Sequence, residues 1–241
     1  MTWVRHADDV AVPKKNLRAI GYQHMLVIIV VAYVLIIAIP VPAVGGPVRV
    51  AMLGWLLTIA VETRGRSTRW LRPAVGLGII LVVATVLTAS KGTEDDLSAI
   101  SSAATSVLVG LAIYMIARSL LANKVIDGPA VRAVLCIYLL LALFFAALNQ
   151  FFGVFFNPYL NGASNPPTAS QALYFSVVTL ATIGYGDIVP VNALARALVV
   201  AQALIGQLYL VSVVAAVVAQ YRRTQPGDET GPDSPNPPDG E

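Results

Sequence analysis

From Thr182 to Asp187 the chain reads Thr-Ile-Gly-Tyr-Gly-Asp, and this is the stretch whose residue types could do chemistry. Two glycines alternate with larger residues, so the backbone can aim successive carbonyl oxygens at one axis without steric penalty. A ring of such oxygens can replace the hydration shell of a dehydrated cation. On this reading Thr182, Ile183, Gly184, Tyr185 and Gly186 form the ion-binding stretch, with cations held at the first four. The Thr182 hydroxyl adds to the carbonyls at the inner end. Tyr185 turns outward to brace the loop against aromatic neighbours. Asp187 anchors the outer mouth by hydrogen bonds and adds negative potential.

A Gly-Tyr-Gly by itself is a common turn, so its surroundings carry the weight. After Phe152 comes a polar, Pro- and Gly-rich loop, Asn157 to Ser170, followed by an apolar run, Ala169–Ala181, too brief to span a membrane. Pro190 ends the excursion and a long apolar helix begins near Asn192. Non-helical backbone at membrane depth is tolerated only when packed in protein or lining water. The pattern predicts a re-entrant helix and loop, with the negative end of the helix dipole directed at the cation path.

The rest of the chain supplies the setting. Of 241 residues, 57% are hydrophobic and 12% charged, with a net charge of +3. Soluble domains carry about 25% charged residues, so a soluble enzyme, a disordered chain and a nucleic-acid binder are all excluded as first readings. Cys136 is the only cysteine, which leaves no internal disulfide and no cysteine metal cluster. No nucleophile–base pair or phosphate loop is present, so no enzyme activity and no cofactor are expected. Six apolar runs read as spanning helices: Ile20–Ile39, Val48–Val61, Pro73–Ala89, Ile100–Leu121, Val131–Phe152 and Leu194–Gln220. The second reaches usable length only by borrowing Ala43–Pro47.

Thirteen of the 16 basic residues fall before the first run, in alternate links, or after the last run. They include Arg18, Arg64, Arg66, Arg69, Arg118, Arg132, Arg222 and Arg223. The opposite loops hold Arg49, Lys91 and Arg196 with the acidic Glu94, Asp95 and Asp96. Basic residues accumulate in short cytoplasmic loops, which predicts a multi-pass plasma-membrane protein with both termini in the cytoplasm. Residues 222–241, rich in Pro, Gly, Asp and Glu, read as a disordered cytoplasmic tail.

The six residues Thr182–Asp187 resemble the selectivity-filter signature of the potassium channel family, commonly written TVGYGD, with Ile183 in place of the usual Val. The resemblance runs from about Val131 to Tyr221, and Pro190, Arg196 and Gly206 fall at family-like spacings after the filter. It implies an all-α membrane protein with six transmembrane helices plus a re-entrant pore helix and selectivity-filter loop, forming a tetrameric pore. K+ is then the permeant ion, held at Thr182, Ile183, Gly184 and Tyr185. Asp187, Tyr174, Phe175 and Thr179 support the filter, and Gly206 is the gating hinge of the inner helix. Tyr174 and Phe175 stand where many members carry paired tryptophans. Val178 stands where some have a buried Glu, leaving Asp187 without a carboxylate partner on the pore helix. Ala181 replaces the first Thr of the usual pair. These departures bear on inactivation and filter stability rather than on selectivity.

The chain then divides into a cytoplasmic segment (1–19), a four-helix transmembrane scaffold (20–121), a pore domain (131–221) and the tail. A voltage sensor needs basic residues repeated along its fourth helix. Ile100–Ala117 has none, and Arg118 first appears at its cytoplasmic end. S4-type voltage gating is not expected. Gln207, Leu210, Val214 and Val218 recur at helical spacing and are candidates to line the cavity below the filter, although Gln207 could equally bond a neighbouring helix. One filter strand cannot encircle an ion, so a homotetramer in membrane lipid is expected. A non-conducting regulatory or scaffold subunit and a potassium-uptake transporter subunit are the alternatives. The gating stimulus and any cytoplasmic regulator stay open.

Overall fold

A computed structural model of the protein describes residues 14–38, 42–62, 71–122, 128–215 and 219. Expectations placed on residues 1–13, the link 63–70, the tail from 220 and Val218 lie outside the described residues. The chain runs α1 (Lys14–Ala38), α2 (Pro42–Glu62), α3 (Leu71–Lys91), α4 (Glu94–Ala122), α5 (Gly128–Phe155), β1 (Leu160–Asn161), α6 (Ala169–Leu180), β2 (Val189–Pro190) and α7 (Ala193–Leu208). A π-helical turn, Tyr209–Val214, continues α7.

Apolar chain in lipid must satisfy its backbone polar groups within the segment, which is why the long runs are helical throughout. Four described stretches, 21–38, 94–121, 130–155 and 193–211, are long and apolar enough to cross a membrane. The helices α2 and α3 have 21 residues each. The helix α2 extends back through Ala43–Pro47, with Pro47 inside it. The expected last span, Leu194–Gln220, is not one continuous α-helix. Its α-helical part ends at Leu208, and a wider π turn follows, so α-helical spacing no longer assigns faces beyond that residue.

The helices α1, α2, α4 and α5 share the main core, where Met25, Ile29, Leu53, Leu57, Leu108 and Leu140 are fully buried. On α4, Ser102, Thr105 and Ser106 donate to carbonyls one turn back at 2.6–2.9 Å, so their hydroxyls are satisfied inside the helix. Gly110 lets the Phe144 ring of α5 approach. Outward residues such as Val34, Ile37, Trp55, Ile80 and Leu87 are exposed and apolar, as a lipid-facing surface requires.

The start of α4 is fixed by a reciprocal cap. The Thr93 hydroxyl accepts from the Asp96 amide at 3.2 Å, and the Asp96 carboxylate accepts from the Thr93 amide at 3.2 Å and hydroxyl at 2.8 Å. At its other end Arg118 is exposed and donates to the Tyr114 hydroxyl at 2.7 Å.

A smaller core of Tyr159, Leu160, Phe175 and Ala195 joins the loop after α5 to the middle of α6 and the start of α7. Its ties are the antiparallel pairs Leu160↔Pro190 and Asn161↔Val189. This clasp holds the two ends of the segment between α5 and α7 together.

Candidate functional site

The short helix α6 is cut to length by its caps. Thr168 accepts from the Gln171 amide while the Gln171 side chain accepts from the Thr168 amide, which closes the first turn. At the other end the Ala181, Thr182 and Ile183 amides donate back to Val177, Thr179 and Val178 carbonyls at 2.9–3.1 Å. The expected run Ala169–Ala181 is therefore a helix over Ala169–Leu180 with Ala181 as its C-cap. The chain then leaves the helix as an open loop.

Within that loop Thr182, Gly184 and Gly186 have φ of +57°, +62° and +81°, while Ile183 and Tyr185 stay at negative φ. In an extended strand with uniformly negative φ, successive carbonyls point to opposite sides. Reversing φ at every second residue turns alternate peptide planes over, so neighbouring carbonyls can share one side. Glycine adopts that region freely; Thr182 does so at a cost, a strained conformation of the kind that clusters at functional sites. Residues 181–187 are all exposed in the single chain.

The side chains around the loop brace it from behind. The Tyr185 ring stacks on Tyr174 of α6, with centroids 6.4 Å apart and planes within 2°. The Tyr174 hydroxyl donates to the Asp187 carboxylate at 2.7 Å. Val178 leaves Asp187 no carboxylate partner on α6, and a phenol one turn earlier bonds it instead. Phe175, next to Tyr174, points the other way into the small core and is 5% exposed. The pair therefore splits into one residue bonding the loop at Asp187 and one packing in the clasp. Thr179 is half-buried and gives its carbonyl to the Thr182 amide.

The Tyr174–Asp187 bond sets the protonation of both groups, which lie outside the spanning helices. It is the main cause holding the Asp187 carboxyl below its ordinary value, aided by backbone amides and opposed by desolvation. The same bond, then desolvation and the charge of Asp187, pushes Tyr174 up to about 12. A depressed carboxyl stabilises the folded loop above its ordinary pKa and loses that contribution only as pH falls through the lower folded value. The raised phenol contributes below its ordinary pKa and fails as pH rises through about 12. The mouth should thus be insensitive to pH across the neutral range. Tyr174→Phe is expected to raise the pH at which acid disrupts conduction, read as flux against pH. An unchanged acid limb would refute the coupling.

Below the loop, α7 is fastened to α6 and α5 through polar atoms. Gln202, fully buried, donates to the Ser176 carbonyl at 2.7 Å and hydroxyl at 2.9 Å, and Ser176 donates on to the Ala142 carbonyl at 2.7 Å. The sequence marks Gln202 only as a polar interruption; what it reaches depends on packing. Gln202→Leu is expected to destabilise the chain by about 1–3 kcal/mol, since buried acceptors lose their donor. A double-mutant cycle with Ser176→Ala in thermal unfolding should show strong coupling; additive effects would count against the link.

Gly206 is buried where α7 crosses the end of α6, and a side chain there would come within 2.5 Å of the Leu180 methyl Cδ1. The same Leu180 carbonyl accepts from Tyr138 at 3.2 Å, and Tyr138 stacks on Tyr209, whose hydroxyl donates to the Val134 carbonyl at 2.7 Å. The position thus has a packing reason to be glycine, three residues before the π turn. Asn192 caps α7 through the Ala195 amide at 2.8 Å and donates to the Pro158 carbonyl at 2.9 Å. Gln207 and Leu210 are exposed in the single chain, and Val214 closes the π turn. Cys136 is buried.

Residues 133–223 match the model of a family described as ion channel. Over 64 residues the chain is 39% identical to the inward rectifier potassium channel Kirbac3.1 of Paramagnetospirillum magnetotacticum, a match covering 27% of this chain. It spans only 22% of that relative's length. No solved structure matches. The protein is therefore a membrane protein whose residues 133–223 are similar to an ion-channel domain.

Proposed function

We propose that the chain is one subunit of a homotetrameric, potassium-selective channel that passes K+ passively down its gradient, with permeant K+ its only ligand in the pore. The observation that carries this reading is the alternation of φ sign along Thr182–Gly186, which lets one strand present a column of carbonyl oxygens. Four such strands close the ring at Thr182, Ile183, Gly184 and Tyr185, and Gly186 leads out to Asp187 at the mouth.

A second observation supports assembly. In the most apolar 18-residue window of 193–211 only 17% of residues are buried within the chain, against 61% in that of 130–155. Its open face carries Val200, Leu204, Leu208 and Val211, and neighbouring subunits would cover it. On this reading the chain crosses the plasma membrane six times with both termini in the cytoplasm. Residues 20–121 form a scaffold beside the pore unit 131–221. Gly206 would serve as the bending point, with Gln207, Leu210, Val214 and Val218 toward the cavity. Absence of Lys and Arg from Ile100–Ala117 argues against S4-type voltage gating.

The test is K+ against Na+ flux in proteoliposomes holding the purified protein, with its oligomeric state measured in parallel. Strong preference for K+ from a tetramer is expected. Equal flux of both ions from an intact tetramer, or a monomeric particle, would overturn the proposal.

A further inference from the structure

At the end of the helix bundle where the α5–α6 loop lies, a cavity of about 380 Å³ opens between α1, α2, α4 and the stretch Ser164–Ser170 that leads into α6. It is within the size range of small-molecule sites, about 300–1,000 Å³. Its floor holds Arg49, which is 9% exposed. One guanidinium nitrogen donates to the Ser101 hydroxyl at 3.1 Å, while the buried Nε has no hydrogen-bond partner among the described residues. No carboxylate pairs with Arg49 among the described residues. A buried guanidinium with an unmet donor is costly unless something anionic completes it.

The mouth of the same cavity has the opposite sign. Glu94 and Asp95, in the first turn of α4, line it and are exposed. One wall, with Leu35, Ile36 and Met52, is apolar. A simple anion would meet Arg49 but be repelled by the two carboxylates. A simple cation would meet the carboxylates and leave the Arg49 charge uncompensated. A molecule that carries both an anionic group and an ammonium satisfies both ends at once.

We infer that this cavity is a binding site for a zwitterion of the phosphoethanolamine type, its phosphate on Arg49 and its ammonium at Glu94 and Asp95. Both a lipid headgroup and a free small molecule carry that chemistry. Because Ser164–Ser170 forms part of the wall and leads into α6, an occupant would brace the approach to the pore helix.

The experiment uses the full-length protein in neutral detergent. Binding of phosphatidylethanolamine, phosphatidylglycerol and diacylglycerol is compared by native mass spectrometry, and O-phosphoethanolamine is titrated by calorimetry. Phosphatidylethanolamine should bind at least tenfold more tightly than phosphatidylglycerol, which lacks the ammonium, and diacylglycerol should not bind. Arg49→Gln should weaken phosphatidylethanolamine at least tenfold. The Glu94→Gln/Asp95→Asn double variant changes only exposed side chains and keeps the test open should Arg49→Gln fail to fold. It should erase the preference over phosphatidylglycerol. Equal affinity for O-phosphoethanolamine and the lipid would assign the free molecule; binding of the lipid alone would assign the headgroup. The inference is overturned if the wild type binds neither probe, leaving water as the occupant, or if Arg49→Gln or the double variant leaves binding and preference unchanged. None of these readouts depends on ion flux, so they stand or fall separately from the pore.

Discussion

Gly184→Ala is expected to cut the K+ to Na+ flux ratio at least tenfold while the subunits still fold and assemble. Nothing lies within 4 Å of a Cβ built there, so within the chain the penalty is conformational and not steric. Its φ is +62°, a region that costs an L-residue roughly 1–2 kcal/mol. If four strands meet at one axis, the ring as a whole bears roughly four times that. The cheapest relief is for the Gly184 peptide to turn over, which takes a carbonyl out of the ring and costs selectivity before it costs folding. Thr182 already bears such strain at φ +57°, so a second strained residue two positions on has little slack to draw on. Flux in proteoliposomes, with size-exclusion chromatography to confirm assembly, decides the matter. An unchanged ratio would mean that these carbonyls do not select the ion.

Gly162→Ala should have the larger effect on the fold. The glycine has φ +83°, and an added methyl would overlap the backbone carbonyl oxygen of Asp187 while lying 3.3 Å from the Ile188 Cα. Backbone cannot swing aside as a side-chain end can, so the β1–β2 clasp would have to open. Positive φ at roughly 1–2 kcal/mol and overpacking at about 1–3 kcal/mol combine to roughly 2–5 kcal/mol. The segment between α5 and α7 should undock, with loss of flux and a fall in thermal stability. Gly76→Ala is the control: it has open space around the new methyl and sits in helix α3, so no loss is expected. Similar behaviour of the two variants would show that the close approach at Gly162 is not structural.

The open loop at Thr182–Asp187, the short helix before it with its end near Leu180, and the start of the last helix at Asn192 were all legible from residue order. Each depends on neighbours in sequence: glycines for backbone freedom, run length for depth, an Asn for a cap. The membrane class followed as directly, because so few charges cannot clothe a soluble fold. Residue order did not reveal that Tyr174 would bond Asp187, because a phenol on a helix is equally compatible with lipid, core or water. Nor did it reveal that Gln202 would reach Ser176, or that the helix would widen at Tyr209, since periodicity averages over such a turn. Arg49 is the sharpest contrast. Its position among loop charges said nothing of burial, and only the packing of α1, α2 and α4 around it leaves a guanidinium inside a cavity. Local chemistry and chain periodicity thus determined what the segments are, while the partners of polar side chains far apart in sequence were decided by which helices the tertiary fold lays side by side.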